Sequence, residues 1–269
     1  MYDGFDEETN ADAQASDALP LRGGADAPDT PPLTTWTLIL IRHGETEWNL
    51  DGKIQGQLDI SLSDEGRTQA RRLGRRFYAA CRTSFPRPLL PFLGEKPLTV
   101  AAIFASDLKR ASETARIVQG SAPHLGPLLL YTTTLLRERN FGDWQGSNSD
   151  ELRAKRAVSG DEPLNGESER QVWARMRRAL DVIVTQIENS PGRESRTAIV
   201  VGHGGSLRAL VCMALGLSDV DMRRFRFENT SISIIEITGV YDDEAVEIKS
   251  GRVPCLNETA HLIPLEVLN

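Results

Sequence analysis

The chain has 269 residues, 40% hydrophobic and 26% charged, a globular balance that excludes a wholly disordered protein. No apolar run approaches the ~20 residues that span a bilayer, and the acidic N-terminus resembles neither a secretory signal nor an Arg-rich transit peptide. The net charge of −7 resides entirely in residues 1–35, which hold eight acids and Arg22, so the rest is neutral and offers no basic stripe for nucleic acid.

Residues 1–35 are rich in Ala, Asp, Gly and Pro, and are expected to form a disordered acidic tail ahead of one folded domain over 36–269. The run Thr37–Ile41 reads as a buried strand that ends in a polar loop, Arg42-His43-Gly44-Glu45-Thr46-Glu47-Trp48-Asn49. Ser63 is placed to cap a helix reaching about Ala80, with Asp64 and Glu65 in its first turn. Segment 82–98, with four prolines, reads as a long connection. A strand over Val100–Phe104 and a helix from about Asp107 to Gly120 follow, then a short strand at 127–131 and a polar stretch over Leu136–Gly146. Helices are expected over 147–157, Glu167–Asn189 and Ser206–Leu215. The last of these follows a buried strand, Thr197–Val201, and the turn Gly202-His203-Gly204-Gly205. Ile232–Ile237 and Ala245–Ile248 read as β-structure. Alternating strands and helices predict a largely parallel sheet covered on both faces, with ligands outside the carboxyl ends of its strands. Cys81, Cys212 and Cys255 are far apart, which argues against a disulfide framework or a cysteine-rich zinc site and fits a reducing, cytoplasmic setting.

Two strands thus end in histidine-bearing glycine turns. If they are neighbours, His43 and His203 open into one crevice. Arg42 and Arg110 add guanidinium forks that match phosphate oxygens. The glycine turns at 44 and 204–205 are expected to present backbone N–H groups to the same anion. A histidine among such cations has a lowered pKa and stays neutral and nucleophilic. Glu138 is placed to protonate a leaving alkoxide and then to activate water. The bland alternatives are surface charge for Arg42, a satisfied strand-end histidine at 203, a solvated Arg110 and a plain ion cluster at Arg137-Glu138-Arg139. His124 is assigned no role, and His261 reads as structural.

The ordered motifs Arg42-His43-Gly44-Glu45-Thr46, Gln55-Gly56, Leu62-Ser63-Asp64-Glu65-Gly66, Ser106-Asp107-Leu108-Lys109-Arg110-Ala111, Leu136-Arg137-Glu138, Gly166-Glu167-Ser168, Gly202-His203-Gly204, Asn229-Thr230-Ser231 and Asn257 to Leu262 carry a resemblance over roughly 37–262. They resemble the histidine phosphatase superfamily, in its phosphoglycerate mutase-like branch. The resemblance implies a three-layer α/β/α sandwich around a mostly parallel sheet with one antiparallel strand. It implies His43 as the phosphorylated nucleophile and Arg42, Arg110 and His203 as phosphoryl-holding groups. Glu138 becomes the proton donor and acceptor, and Asn49, Gln55, Gly56 and Gly204 line the phosphate or substrate site. No metal or organic cofactor is implied. Mutases of the branch resemble G-L-N-K after the catalytic Glu, whereas Ser149 stands at the lysine position here. A phosphatase is therefore favoured over a cofactor-primed phosphoglycerate mutase. A phosphoprotein-directed phosphatase or interaction module is the third reading. Arg139, Arg153, Lys155 and Arg156 suggest a second phosphate or carboxylate, as in a sugar bisphosphate of the fructose-2,6-bisphosphate type.

Overall fold

A computed structural model describes residues 31–80, 98–160, 162–190 and 195–263. The expected acidic tail and the proline-rich connection lie almost wholly outside these residues. The compact unit begins at Pro32.

Strand β1 runs over Thr34–Arg42, and α1 over Glu47–Leu50 and α2 over Asp64–Ala80 follow it. Next come β2 (Ala102–Ser106), α3 (Lys109–Ser121), β3 (Leu130–Thr133), α4 (Ser149–Ser159) and α5 (Glu169–Glu188). The chain continues through β4 (Thr197–Gly202), α6 (Gly204–Ala214), β5 (Ile232–Tyr241) and β6 (Val246–Glu258). The six strands form one sheet in the order β3-β2-β4-β1-β5-β6. Pairings from β3 to β1 are parallel, whereas β5 is antiparallel to both β1 and β6. Only β5 runs against the rest, as the resemblance implies.

Period-two alternation explains the three layers. Leu38, Leu40, Phe104 and Val200 point to one face and pack with Val172, Leu180 and Leu210 of α5 and α6. Ile39, Ile41, Ile103, Ile199 and Val201 point to the other and pack with Leu73, Phe77 and Val118 of α2 and α3. All these side chains are at most 1% exposed, so each strand reads as a continuous apolar run, the signature of a sheet buried on both faces.

β1 and β4 pair directly, with Arg42 opposite Gly202. The helix after β1, α2, covers one face, and the helix after β4, α6, covers the other. Neighbouring strands that send their helices to opposite faces create a crevice at their carboxyl ends, where doubly wound folds bind ligands.

Several boundaries differ from expectation. The stretch after His43 contains a short helix, α1, held by a capping box between Thr46 and Asn49. Helix α3 begins at Lys109 rather than Asp107, because Leu108 is extended and Asp107 is bound to Arg137 at 2.5 and 2.8 Å. Strand β6 runs ten residues beyond the expected Ile248. Antiparallel pairing with β5 carries it past Gly251 and Pro254, with register shifts along the way. Proline is tolerated there because β6 is an edge strand.

The loop after β1 lies tight against the start of α2. A Cβ on Gly44 would sit 2.5 Å from the Gly66 carbonyl oxygen, and one on Gly66 would sit 2.1 Å from that of Glu45. Gly66→Ala should therefore push the loop outward and destabilise the fold by about 1–3 kcal/mol. Urea unfolding followed by circular dichroism measures this, and an unchanged midpoint would show that the loop yields freely.

Candidate active site

His43 and His203 leave the adjacent ends of β1 and β4 and face each other with ring centroids 5.1 Å apart. They are 3% and 0% exposed. His43 Nδ1 lies 2.6 Å from the Gly44 carbonyl oxygen. A carbonyl only accepts, so Nδ1 carries the proton and the lone pair is left on Nε2. Burial, and then the charges of Arg110 and Arg42, push the His43 pKa well below the ordinary histidine range. Burial and Arg110 do the same for His203. Both rings are neutral at pH 7.

Arg110 is completely buried on α3. It donates to the Gly56 and Leu58 carbonyl oxygens at 2.6 and 2.8 Å. Arg42 donates to the Phe227 carbonyl oxygen at 2.6 Å. Neither arginine spends these bonds on a carboxylate, so both keep their charge for another partner. Desolvation by burial lowers the Arg110 pKa to about 10, partly offset by Glu138. Arg110 Nε, both His203 ring nitrogens and the Gln55 Oε1 find no hydrogen-bond partner among the described residues. A buried polar group left unpaired costs about 1–3 kcal/mol, and the donors in this set suit an anionic guest.

Glu138 reaches the cluster from the segment after β3. Its Oε2 accepts from Gly205 N–H at 3.0 Å and its Oε1 from Arg139 N–H at 2.8 Å. A Cβ on Gly205 would lie 2.2 Å from Glu138 Oε1, so a larger residue there would displace the carboxylate. These contacts correct the expectation that every glycine turn presents N–H groups to the anion. Gly205 gives its N–H to Glu138, and Gly44 gives its N–H to Thr114 Oγ1 at 3.0 Å.

The structure brings Arg42, His43, Arg110, Glu138 and His203 into one crevice. Gln55 and Gly56 sit on its wall, because the Gly56 carbonyl binds Arg110. Gly204 opens α6, and a Cβ on it would meet Arg42 Nε at 4.0 Å. Asn49 has a visible structural task. Its Oδ1 accepts from the Thr46 N–H and hydroxyl at 3.1 Å each, and from Asn229 Nδ2 at 3.4 Å.

Sequence reasoning missed the residues that hold this set in place. Arg175 on α5 donates to the carbonyl oxygens of Leu135, Arg137 and Glu138 and pairs with Glu167 at 2.8 Å. Thr230 N–H reaches the Arg42 carbonyl oxygen at 3.0 Å, and Asn229 Nδ2 reaches that of His43 at 3.0 Å. Thr230 adopts φ +53°, a strained value for a β-branched residue. Its hydroxyl bonds His261 Nε2 at 3.0 Å, which makes His261 structural, as the sequence suggested. Asn229, Thr230 and His261 stood in recognised motifs, but nothing in their spacing showed what they would touch.

Residues 38–83 and 89–245 match the family described as histidine phosphatase superfamily, branch 1. The chain belongs to this superfamily. This is an enzyme family of phosphate-ester chemistry, and the relatives carry both mutase and phosphatase names. The chain is 35% identical to phosphoglycerate mutase-like protein 4 of Arabidopsis thaliana over 236 residues, covering 84% of this chain and 89% of that one. It is 33% identical to a 2,3-bisphosphoglycerate-dependent phosphoglycerate mutase of Bartonella henselae over 195 residues, covering 69% and 84%. Among solved structures, a mycobacterial glucosyl-3-phosphoglycerate phosphatase in complex with VO3 superposes with a TM-score of 0.64 at 27% identity, covering 83% of this chain and 99% of that one. These likenesses agree with the α/β/α fold. Among the described residues no helix is long and apolar enough to cross a membrane.

All four histidines of the chain have lowered pKa values. That of His261 falls to about 4 through burial and the charges of Arg76 and Arg72. Below the unfolded value of about 6.5, the unfolded chain therefore binds more protons than the folded one. The stabilisation is complete above pH ~6.5 and is lost as pH falls through that value, by up to ~1.4 kcal/mol per unit for each buried histidine. Unfolding free energy measured in urea should fall by a few kcal/mol between pH 7.5 and 5.5. That window lies above the carboxylate titrations. A flat profile across it would contradict the burial of His43 and His203 as neutral rings.

Proposed function

We propose that this protein releases inorganic phosphate from a small phosphomonoester, of sugar phosphate or bisphosphate type, through a phosphohistidine on His43. The observation that carries this reading is the tautomer lock. Nδ1–H bonds the Gly44 carbonyl oxygen, and Nε2 is left with its lone pair in a crevice shared with Arg42, Arg110 and His203.

The chemistry follows in two halves. The phosphoryl group binds between Arg42 and Arg110, and His43 Nε2 attacks phosphorus opposite the ester oxygen. As the P–O bond breaks, charge spreads over the equatorial oxygens, and the two guanidinium groups with a ring N–H of His203 stabilise it. Glu138 gives a proton to the departing alkoxide. Its two backbone hydrogen bonds fix the carboxyl group, and each oxygen retains a second lone pair for proton transfer. In the second half Glu138 takes a proton from water. The water oxygen attacks the phosphohistidine, the P–N bond breaks, and phosphate and neutral His43 are restored. Side chains supply every positive charge these steps use. Among the described residues no three His, Cys, Asp or Glu side chains gather as a metal site would require.

Mutase activity is the second reading, and the mutase names among the relatives favour it. Against it stands Ser149, the first residue of α4, at the position where mutases resemble a lysine. Labelled substrate quenched rapidly should leave an acid-labile, alkali-stable phosphoenzyme that His43→Ala cannot form, and phosphate should appear in step with substrate loss. Wild-type turnover in His43→Ala would end this mechanism. Efficient conversion of 3-phosphoglycerate to 2-phosphoglycerate without phosphate release would replace hydrolysis by mutase chemistry.

Glu138→Gln tests the proton-transfer role separately. General acid catalysis is worth roughly 10²–10⁴-fold where the leaving group is a poor one. Phosphoenzyme formation from a sugar phosphate should slow by about that factor, and formation from nitrophenyl phosphate by far less. Equal slowing of both would place the acid elsewhere.

A further inference from the structure

Residues 54–58 form a strap between Arg110 and the segment that carries Glu138. The Gly56 and Leu58 carbonyl oxygens hold the Arg110 guanidinium group at 2.6 and 2.8 Å. The residue between them, half-buried Gln57, reaches the Glu138 segment instead. Its Nε2 donates to the Glu138 carbonyl oxygen at 3.1 Å and to Glu167 Oε2 at 3.4 Å. Its backbone N–H donates to Gln145 Oε1 at 2.7 Å. Two backbone bonds brace the strap further. Ile54 N–H reaches the Ser147 carbonyl oxygen at 3.0 Å, and Gly146 N–H reaches that of Ile54 at 2.7 Å. Gly56 makes the turn at φ +54°, where a Cβ would lie 2.1 Å from Gln145 Oε1.

The bond from Gln57 falls on one end of a peptide group whose other end holds the carboxyl group of Glu138. The Glu138 carbonyl and the Arg139 N–H belong to one peptide plane. The N–H end donates to Glu138 Oε1 at 2.8 Å. The oxygen end accepts from Gln57 Nε2 and, at 3.3 Å, from Arg175 Nη2. Fixing the oxygen fixes the plane, and so aims the N–H at the carboxyl group. Donation to the oxygen also polarises the amide and strengthens the bond its N–H makes. The partners of Gln57 Nε2 are a carbonyl and an arginine-paired carboxylate, both acceptors. The amide nitrogen, not the oxygen, therefore faces them.

Arg175 and Glu167 belong to α5 and the turn before it. Gln57 differs from them because its neighbours in sequence bind Arg110. One short strap thus touches both the guanidinium group in the crevice and the peptide that orients Glu138. The spacing of Gln57 beside Gln55-Gly56 gave no sign of this.

We propose that Gln57 is a positioning residue for the proton-transfer step. It holds Glu138 at a fixed reach from a phosphoryl group bound at Arg110, by tying the 138–139 peptide to the strap that holds Arg110. The inference rests on the phosphatase reading above. An acid must lie within about 2.6–3.2 Å of the oxygen it protonates, and a small misplacement slows the reaction severely. Loss of the Gln57 amide should therefore be felt only by leaving groups that need a proton.

The full-length enzyme tests this with monoesters assayed for released phosphate. Benzyl phosphate, glycerol 3-phosphate and 3-phosphoglycerate expel alkoxides that need the proton, whereas 4-nitrophenyl phosphate expels a phenolate that leaves without it. The ratio kcat/KM reports the steps up to loss of the alcohol. Gln57→Leu keeps the bulk of the side chain and removes its donor. It should lower kcat/KM for the best alkyl ester by about 5–30-fold, a part of the ~10²–10⁴-fold that an acid supplies, and for the nitrophenyl ester by less than about twofold. In a Glu138→Gln background the same substitution should change the alkyl ester by less than about twofold, because residues acting through one group are not additive. Equal slowing of both ester types, no loss with the alkyl ester, or an undiminished loss in the Glu138→Gln background would overturn the positioning role and leave the phosphatase reading standing. Gln57→Asn, whose amide falls one carbon short, carries the same test with the same outcomes if Gln57→Leu does not fold. Wild-type enzyme that releases phosphate from no alkyl ester would leave Glu138 no alkoxide to protonate, and would overturn the acid assignment and this inference together. Phosphate from none of the four esters would overturn the phosphatase reading as well.

Discussion

The constraint on which the site depends is the concentration of positive charge at the ends of two paired strands. Arg42 and Arg110 are held by backbone carbonyl oxygens rather than by carboxylates. A carbonyl fixes a guanidinium group in space without cancelling its charge. Burial, reinforced by the field of these arginines, keeps two imidazoles neutral 5.1 Å apart. In the proposed reaction that field also supplies counter-charge to an incoming phosphoryl group. A carboxylate partner for either arginine would secure the side chain equally well and would quench the site.

The scaffold around this cluster consists mainly of backbone contacts. The loop bearing His43 is clamped by close approach to Gly66, by the Thr114 hydroxyl and by the 229–230 turn. The segment bearing Glu138 is held by Arg175, which binds three successive parts of it. These supports come from four different helices and turns. Each side chain of the site thus sits on a rigid element, as chemistry that relies on positioning requires. The strained Thr230 belongs to the same pattern, since its φ is held where its N–H meets the carbonyl beside His43.

In the proposed reaction the crevice between β1 and β4 binds the phosphoryl group, which every phosphomonoester shares.

The sequence by itself determined the apolar strands, the helix faces and the five polar residues of the crevice. Strands buried on both faces must be apolar throughout, so Thr37–Ile41 and Thr197–Val201 were legible from composition alone. The ordered motifs made Arg42, His43, Arg110, Glu138 and His203 legible as a set. Only the tertiary structure decided which strands are neighbours, and hence that the two histidines meet. It also decided that Gly44 and Gly205 spend their N–H groups on Thr114 and Glu138, and that Arg175, Asn229 and Thr230 support the site. The same holds for Arg139, Arg156, Arg208 and Arg223, which share one recess from four separate segments. Periodicity and capping are local, so a sequence displays them. Contacts between residues tens of positions apart exist only once the sheet order is set, and no local pattern encodes which carbonyl an arginine will reach.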